Sequence, residues 1–313
     1  MVALSKPEDL GPPPRDGWVT RSIKPHSKQK AHYWCRYAET AATATKNVFQ
    51  GARACLDLYA AAGICEDSES RELSWGSSLL ALQVTTPFDL YFFNDIDPEA
   101  TAALAARVRM FAPQGTSIFE IDLDDPNALS LAREISRVRA LGTKVVIARG
   151  DANKTPVFVK ELLPHGRRYT LALIDPQSAK FHWSALEALA HHERSFDVLS
   201  LFPDASDLAR GLPYYLNRPK CGEKLDAYFG TREWREIVRH SPKRAEHELR
   251  QFYEQRMNTY LDLKAGHPKG VGFSRRPLYH LIFGSKNEKG IKLWNDVNRR
   301  TPWDQDELFF PSE

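Results

Sequence analysis

From residue 54 onward the chain repeats one pattern: a short apolar run, a polar closing turn, then a stretch with helical spacing. ACLDLYAA, FDLYFFNDID, KVVIARGDA, RYTLALIDP and FDVLSLFP are the five runs. Runs that are apolar throughout, rather than alternating, suit strands buried on both faces. Between them, PEATAALAARVRMF, TPVFVKELL and WSALEALAHH carry the spacing of helices that cover a sheet. This alternation predicts an α/β fold built on a doubly wound, mostly parallel, Rossmann-like sheet. TSIFEIDLDDPNALSLAREISRVRALG adds one strand–helix pair between the second and third strands.

Outside that repeat the pattern changes. Residues 1–28, with Pro12, Pro13, Pro14 and Gly17, read as an irregular leader, and Lys28 to Gly51 reads as an Ala-rich helix ended by glycine. Residues 205–262 are highly charged and mostly helical; PLYHLIFGS reads as a last strand and the region around GIKLW as a helix. The expected division is a leader at 1–28, a core at 29–204, a helical insertion at 205–275, and a strand and C-terminal helix or tail at 276–313 completing the core. No internal repeat or low-complexity tract interrupts it.

Composition narrows the class. With 313 residues, 42% hydrophobic and 27% charged, the chain has enough apolar material for one large core. The net charge of +3 permits a nucleic-acid partner without requiring one. The longest charge-free run, Leu73 to Phe88, is too polar to cross a bilayer, so no membrane association is expected. The N-terminus carries an acidic pair and a proline cluster where a signal peptide needs an apolar stretch. Cys35, Cys55, Cys65 and Cys221 form no CxxC pair, which suits reduced thiols in a cytoplasmic protein, with a Cys55–Cys65 bridge left open.

In doubly wound sheets ligands sit at the carboxyl ends of the strands, where the strand order reverses. Four closing turns here carry an aspartate: Asp57 before Leu58–Gly63, Asp95 and Asp97 in Asn94–Pro98, Asp151 in Gly150–Asn153, and Asp175 before Pro176. One such Asp is normally a helix cap or turn former. Four in succession point to a nucleoside-cofactor pocket, with an acid at the second strand end as the usual acceptor for a ribose diol.

These residues resemble class I S-adenosylmethionine-dependent methyltransferases, and more closely the three-Cys-motif partner proteins. The matching segments are Asp57–Gly63 (DLYAAAG), Gly76–Leu82 (GSSLLAL), Phe93–Pro98, Gly150–Asn153, Ile174–Pro176, His182–Leu189 (HWSALEAL), Tyr228–Glu236 and His280–Trp294, spanning about residues 30–295. The resemblance implies a bacterial methyltransferase-like protein that takes S-adenosylmethionine and accompanies a radical-SAM-like three-cysteine protein. Carried over residue by residue, Asp57 holds the amino end of the cofactor directly or through water, and Ala60 and Gly63 line its backbone cradle. Asp95 accepts the ribose hydroxyls, with Asp97 as second choice; Asp151 and Ala152 flank the adenine, Asp151 accepting from the exocyclic amine. Asp175 faces the transferring methyl, and Gln177 follows it in the catalytic turn. Two departures stand out. Ala61-Ala62-Gly63 replaces Gly-Pro-Gly, and Gln177-Ser178 replaces Phe-Gly, which removes the aromatic that stacks a target base; Phe181 or Trp183 is the candidate substitute.

Two functions follow as expectations. One is a methyltransferase acting on nucleic acid or on a partner-delivered substrate; the other is a catalytically silent partner protein of a mobile-element or defence-linked operon, favoured by Ala61 and Gln177. A nicotinamide-dependent oxidoreductase fits less well, because the first turn lacks GxGxxG spacing. His182, His191, His192 and Glu193 lack metal-ligand spacing, so no metal is expected. Lys24, His26, Lys28, Lys30, His32, Tyr33, Trp34 and Arg36 mix cations with aromatics, as nucleic-acid surfaces and solvated amphipathic helices both do; Lys269, Arg275 and Arg276 add charge in a Gly-rich loop. Tyr228, Phe229, Trp234, Phe252 and Tyr253 read as a core stripe.

Overall fold

The computed structural model describes residues 10–300, apart from 139–141, 164–165, 167, 177, 204–207, 243 and 273–276. Parallel strands β2 (Arg53–Asp57), β5 (Leu90–Asp95), β7 (Lys144–Arg149), β6 (Ser117–Asp122), β8 (Tyr169–Ile174) and β9 (Ser195–Phe202) form the sheet, with β12 (Tyr279–Ser285) antiparallel to β9. The order is β12-β9-β8-β2-β5-β7-β6. The chain leaves β2 toward β5, β7 and β6, then returns to build β8 and β9 on the other side, so the order reverses between β2 and β8. The extra pair expected between the second and third strands is present as β6 and α4 (Ala128–Arg137) at one edge.

Both faces are packed, which is why the strands read as apolar runs. Along β2, Ala54 and Leu56 face one core while Cys55 faces the other; along β8, Ala172 and Ile174 oppose Leu171 and Leu173. The second core includes α1 (His26–Thr45), whose Tyr33, Trp34, Tyr37 and Ala38 are buried. Tyr37 also donates to the buried Asp197 carboxylate (2.6 Å), which Tyr169 and Ser285 bind as well, fixing α1 to β8, β9 and β12. The first core takes α6 (Trp183–His192) and the helices of the 205–262 region. There the expected core stripe holds: Tyr228, Phe229, Trp234 and Tyr253 are buried, and Phe252 packs against them.

Two expected boundaries move. The leader is not irregular to residue 28: β1 (Arg21–Ile23) pairs with β3 (Ile64–Asp67), which pairs with β4 (Leu73–Trp75), and α1 already starts at His26. The insertion's helices end with α10 (Ala245–Leu261), and β10 (Lys264–Ala265) and β11 (Lys269–Val271) pair with β12. Both departures have one cause: edge pairing satisfies backbone groups without leaving an apolar period in the sequence. The four cysteines are free thiols. No described helix is long and apolar enough to cross a membrane.

Candidate functional site

The carboxyl ends of β2, β5, β7 and β8 open into one cleft of about 1630 Å³. Of the residues singled out from sequence, Ala60, Asp95, Asp151, Ala152 and Asp175 line it. Asp95 closes β5 and accepts from the backbone N–H of Ala61 (2.9 Å) and of Asp97 (3.0 Å), which ties the β2 turn to the β5 turn. Asp151 accepts from Asn153 through backbone and side-chain nitrogens, both at 2.9 Å, and heads the short 3-10 turn Ala152–Lys154.

Asp57 differs from expectation. It is fully buried and lies outside the cleft lining. Its carboxylate receives the Ser77 hydroxyl (2.5 Å) and the Tyr59 N–H (3.2 Å), and Ser77 is what reaches the cleft. Burial pushes the Asp57 carboxyl up to about 7; the two hydrogen bonds pull it down, while Asp175 and Asp95 raise it further. Tyr59 sits among the same acids. Burial, then Asp151, Asp175 and Asp95, hold its phenol well above the ordinary value.

Two other candidates lie outside the lining and have partners of their own. Asp97 is the N-cap of α3 (Pro98–Phe111), accepting from the N–H groups of Glu99 and Ala100, and it lies outside the lining. Asp followed by Pro at the first helical position is a capping signature, so this role was readable locally. Gly63 also lies outside the lining. It has φ +76°, its carbonyl accepts from Gly76 N–H (2.7 Å), and a Cβ there would meet Leu104 at 2.8 Å. It is a packing glycine. Phe181 and Trp183 are buried in the first core and offer no stacking face. Gln177 lies outside the described residues, as do Arg275 and Arg276.

Ala61, where the resembled family has glycine, lines the cleft with φ +49°. A Cβ in the left-handed region costs roughly 1 kcal/mol. Ala61→Gly is therefore expected to raise stability by up to about 1 kcal/mol, less the extra unfolded-state entropy of glycine. Thermal melting of the two proteins checks this; a lower Tm for the glycine variant removes strain at Ala61.

Ser77 and Ile96 line the cleft although the sequence singled out neither, and Lys30, one of the N-terminal cations, enters it beside Asp175. Lys30, from the first turns of α1, makes an ion pair with Asp175, both side chains about one-fifth exposed. Burial disfavours the Lys30 ammonium, but Asp175, joined by Tyr279, more than offsets this and leaves its pKa raised. Its Nζ also lies 5.8 Å from the Tyr279 ring centroid. The N-terminal cation–aromatic segment thus divides: His32 and Tyr33 are buried away from the cleft, Trp34 is buried at its wall, and Lys24, His26, Lys28 and Lys30 line it. Ile96 is 71% exposed beside Asp95. An apolar residue inside an otherwise polar closing turn was the available signal. Among the described residues no three His, Cys, Asp or Glu side chains are grouped to hold a metal ion.

No protein-family model matches the chain, and no curated protein matches it. Among solved structures it is similar to Trm1 from Pyrococcus horikoshii in complex with S-adenosyl-L-methionine, at TM-score 0.40 and 14% identity. That match covers 86% of this chain and 58% of that one, so the chain spans less than two thirds of that protein. A conserved hypothetical protein from Streptococcus pyogenes gives TM-score 0.36 and 14% identity over 79% of this chain and 95% of that one. A protein from Legionella pneumophila gives TM-score 0.41 and 10% identity over 85% and 90%.

Proposed function

We propose that the protein is an S-adenosylmethionine-dependent methyltransferase. One observation carries the reading: four consecutive strand ends at the reversal of strand order deliver Asp95, Asp151, Asp175 and the Asp57–Ser77 pair to a single cleft. That acceptor set suits S-adenosylmethionine, whose sulfonium and amino group are cationic and whose diol and adenine amine are hydrogen-bond donors. Asp95 keeps acceptor capacity beyond its two backbone bonds and takes the ribose diol. Asp151 accepts the adenine amine, and Ile96 and Ala152 supply apolar surface beside the ring. Ser77, oriented by Asp57, holds the amino end.

When bound, this cofactor supplies an electrophilic methyl group. The chain contributes position and charge. Methyl transfer in line needs the acceptor held against the methyl group and stripped of water. Asp175 is the carboxylate placed to orient an acceptor N–H and take its proton late. Lys30 occupies Asp175 in the structure and neutralises it, so an acceptor amine replaces Lys30 as its partner.

The second reading, a silent partner protein, draws support from the same pair and from strained Ala61. The resemblance to three-Cys-motif partner proteins adds a radical-SAM-like three-cysteine protein as the companion in either case.

Calorimetry with S-adenosylmethionine and S-adenosylhomocysteine separates the readings. Micromolar binding is expected for the wild type. Asp95→Ala is expected to weaken it by about 10- to 100-fold, the loss of hydrogen bonds to a charged acceptor, roughly 1.5–3 kcal/mol. Asp175→Asn is expected to retain cofactor affinity. No binding at millimolar cofactor by a folded protein overturns the methyltransferase and leaves the partner reading.

A further inference from the structure

The cleft is roomier than one small molecule requires. Sites for a single small molecule run to about 300–1,000 Å³, and this cleft is about 1630 Å³. Its charge is also divided by element. The strand ends supply the acids Asp95, Asp151 and Asp175, whereas the N-terminal segment and the start of α1 supply Arg15, Arg21, Lys24, Lys28 and Lys30. Lys180, from the turn after β8, joins these cations. The acid lining that side is Glu72, already bound to Lys28 (3.0 Å). Arg15, Lys24 and Lys180 have no carboxylate partner among the described residues, and all three are exposed. Half-buried Trp75 and Tyr59 line the same cleft.

We infer that this cationic wall binds a single-stranded nucleic acid, which is the methyl acceptor. An acidic floor repels phosphate and suits a cationic cofactor; a cationic wall beside it suits a polyanion, so the two ligands sort by charge within one cleft. Cations interleaved with aromatic faces are what single strands need, because phosphates track the charges while bases stack on rings. The role as acceptor rests on the methyltransferase reading. The binding does not.

The test is fluorescence anisotropy of a labelled single-stranded oligonucleotide of mixed sequence titrated with the full chain over a range of salt, with calorimetry of S-adenosylhomocysteine on the same samples. Binding is expected to fall with salt at about −0.7 in log–log slope per neutralised phosphate. The charge reversals Lys24→Glu and Lys180→Glu together are expected to weaken the oligonucleotide at least tenfold and to reduce that slope by more than one, leaving cofactor affinity within twofold. Both residues are exposed, so folding is not at stake. No oligonucleotide binding at low salt overturns the inference, as does binding indifferent to the two reversals. Equal binding of poly-glutamate with the same salt slope overturns it in favour of an acidic polypeptide. Oligonucleotide binding without cofactor binding removes the methyltransferase and keeps the wall, so the two failures are told apart.

Discussion

Arg107→Met is expected to destabilise the protein by about 3–5 kcal/mol, the cost of stripping one partner from a buried ion pair. Arg107 sits on α3 with no exposed surface, and its guanidinium grips Asp16 through two nitrogens at 2.7 and 2.8 Å. It also donates to the carbonyls of Val19 (2.8 Å) and Ala62 (2.6 Å). The Asp16 side chain is 9% exposed, so removing the cation leaves a carboxylate and three carbonyls, that of Trp18 (3.3 Å) included, under-satisfied. The hydrogen bond from Arg107 holds the Asp16 carboxyl below its usual range. A depressed acid contributes stability above its unfolded pKa and loses it as pH falls, so this pair weakens on acidification. Because Arg107 fastens the segment that carries Arg15 and Arg21, the variant is also expected to weaken any ligand of the cationic wall. Denaturant unfolding is the measurement, with Asp16→Asn and the double variant completing a cycle. Coupling near zero between the two sites means that the pair does not hold the segment.

Asp57 has the opposite sign. Its carboxyl is pushed up to about 7, first by burial, against an ordinary value of 3.8. The folded protein therefore binds a proton between those values that the unfolded chain does not. Stability attached to this group is full below about pH 4, falls as pH rises toward 7, and stays low above it. At 1.36 kcal/mol per unit the three-unit rise corresponds to roughly 4 kcal/mol. Asp57→Asn keeps an acceptor for Ser77 and removes the charge, so the variant is expected to gain on the wild type through that window and hold the gain above pH 7. Unfolding curves of both proteins between pH 4 and 8 give the difference directly; parallel curves mean that Asp57 does not titrate there. The gain in stability is expected to accompany weaker cofactor binding, since a buried carboxylate retained at such cost is a functional feature.

The strands and their order of appearance were legible because burial on both faces writes itself as apolar runs. The aspartates at the strand ends were legible because closing turns draw on a few residue types whose local chemistry is known. By itself, then, the sequence determined the α/β class, the added β6–α4 pair, the helical character of the 205–262 region and the set of acids worth watching. Tertiary structure decided which of those acids line the cleft. It sank Asp57 beneath Ser77, 20 residues away, and turned Gly63 inward against Leu104, whereas the Asp97 cap is local. It also brought Lys30 to Asp175 across 145 residues and Arg107 to Asp16 across 91. None of these pairings has a local signature. Each depends on where a helix docks against the sheet, and that is set by the summed packing of both cores, not by the residues that meet.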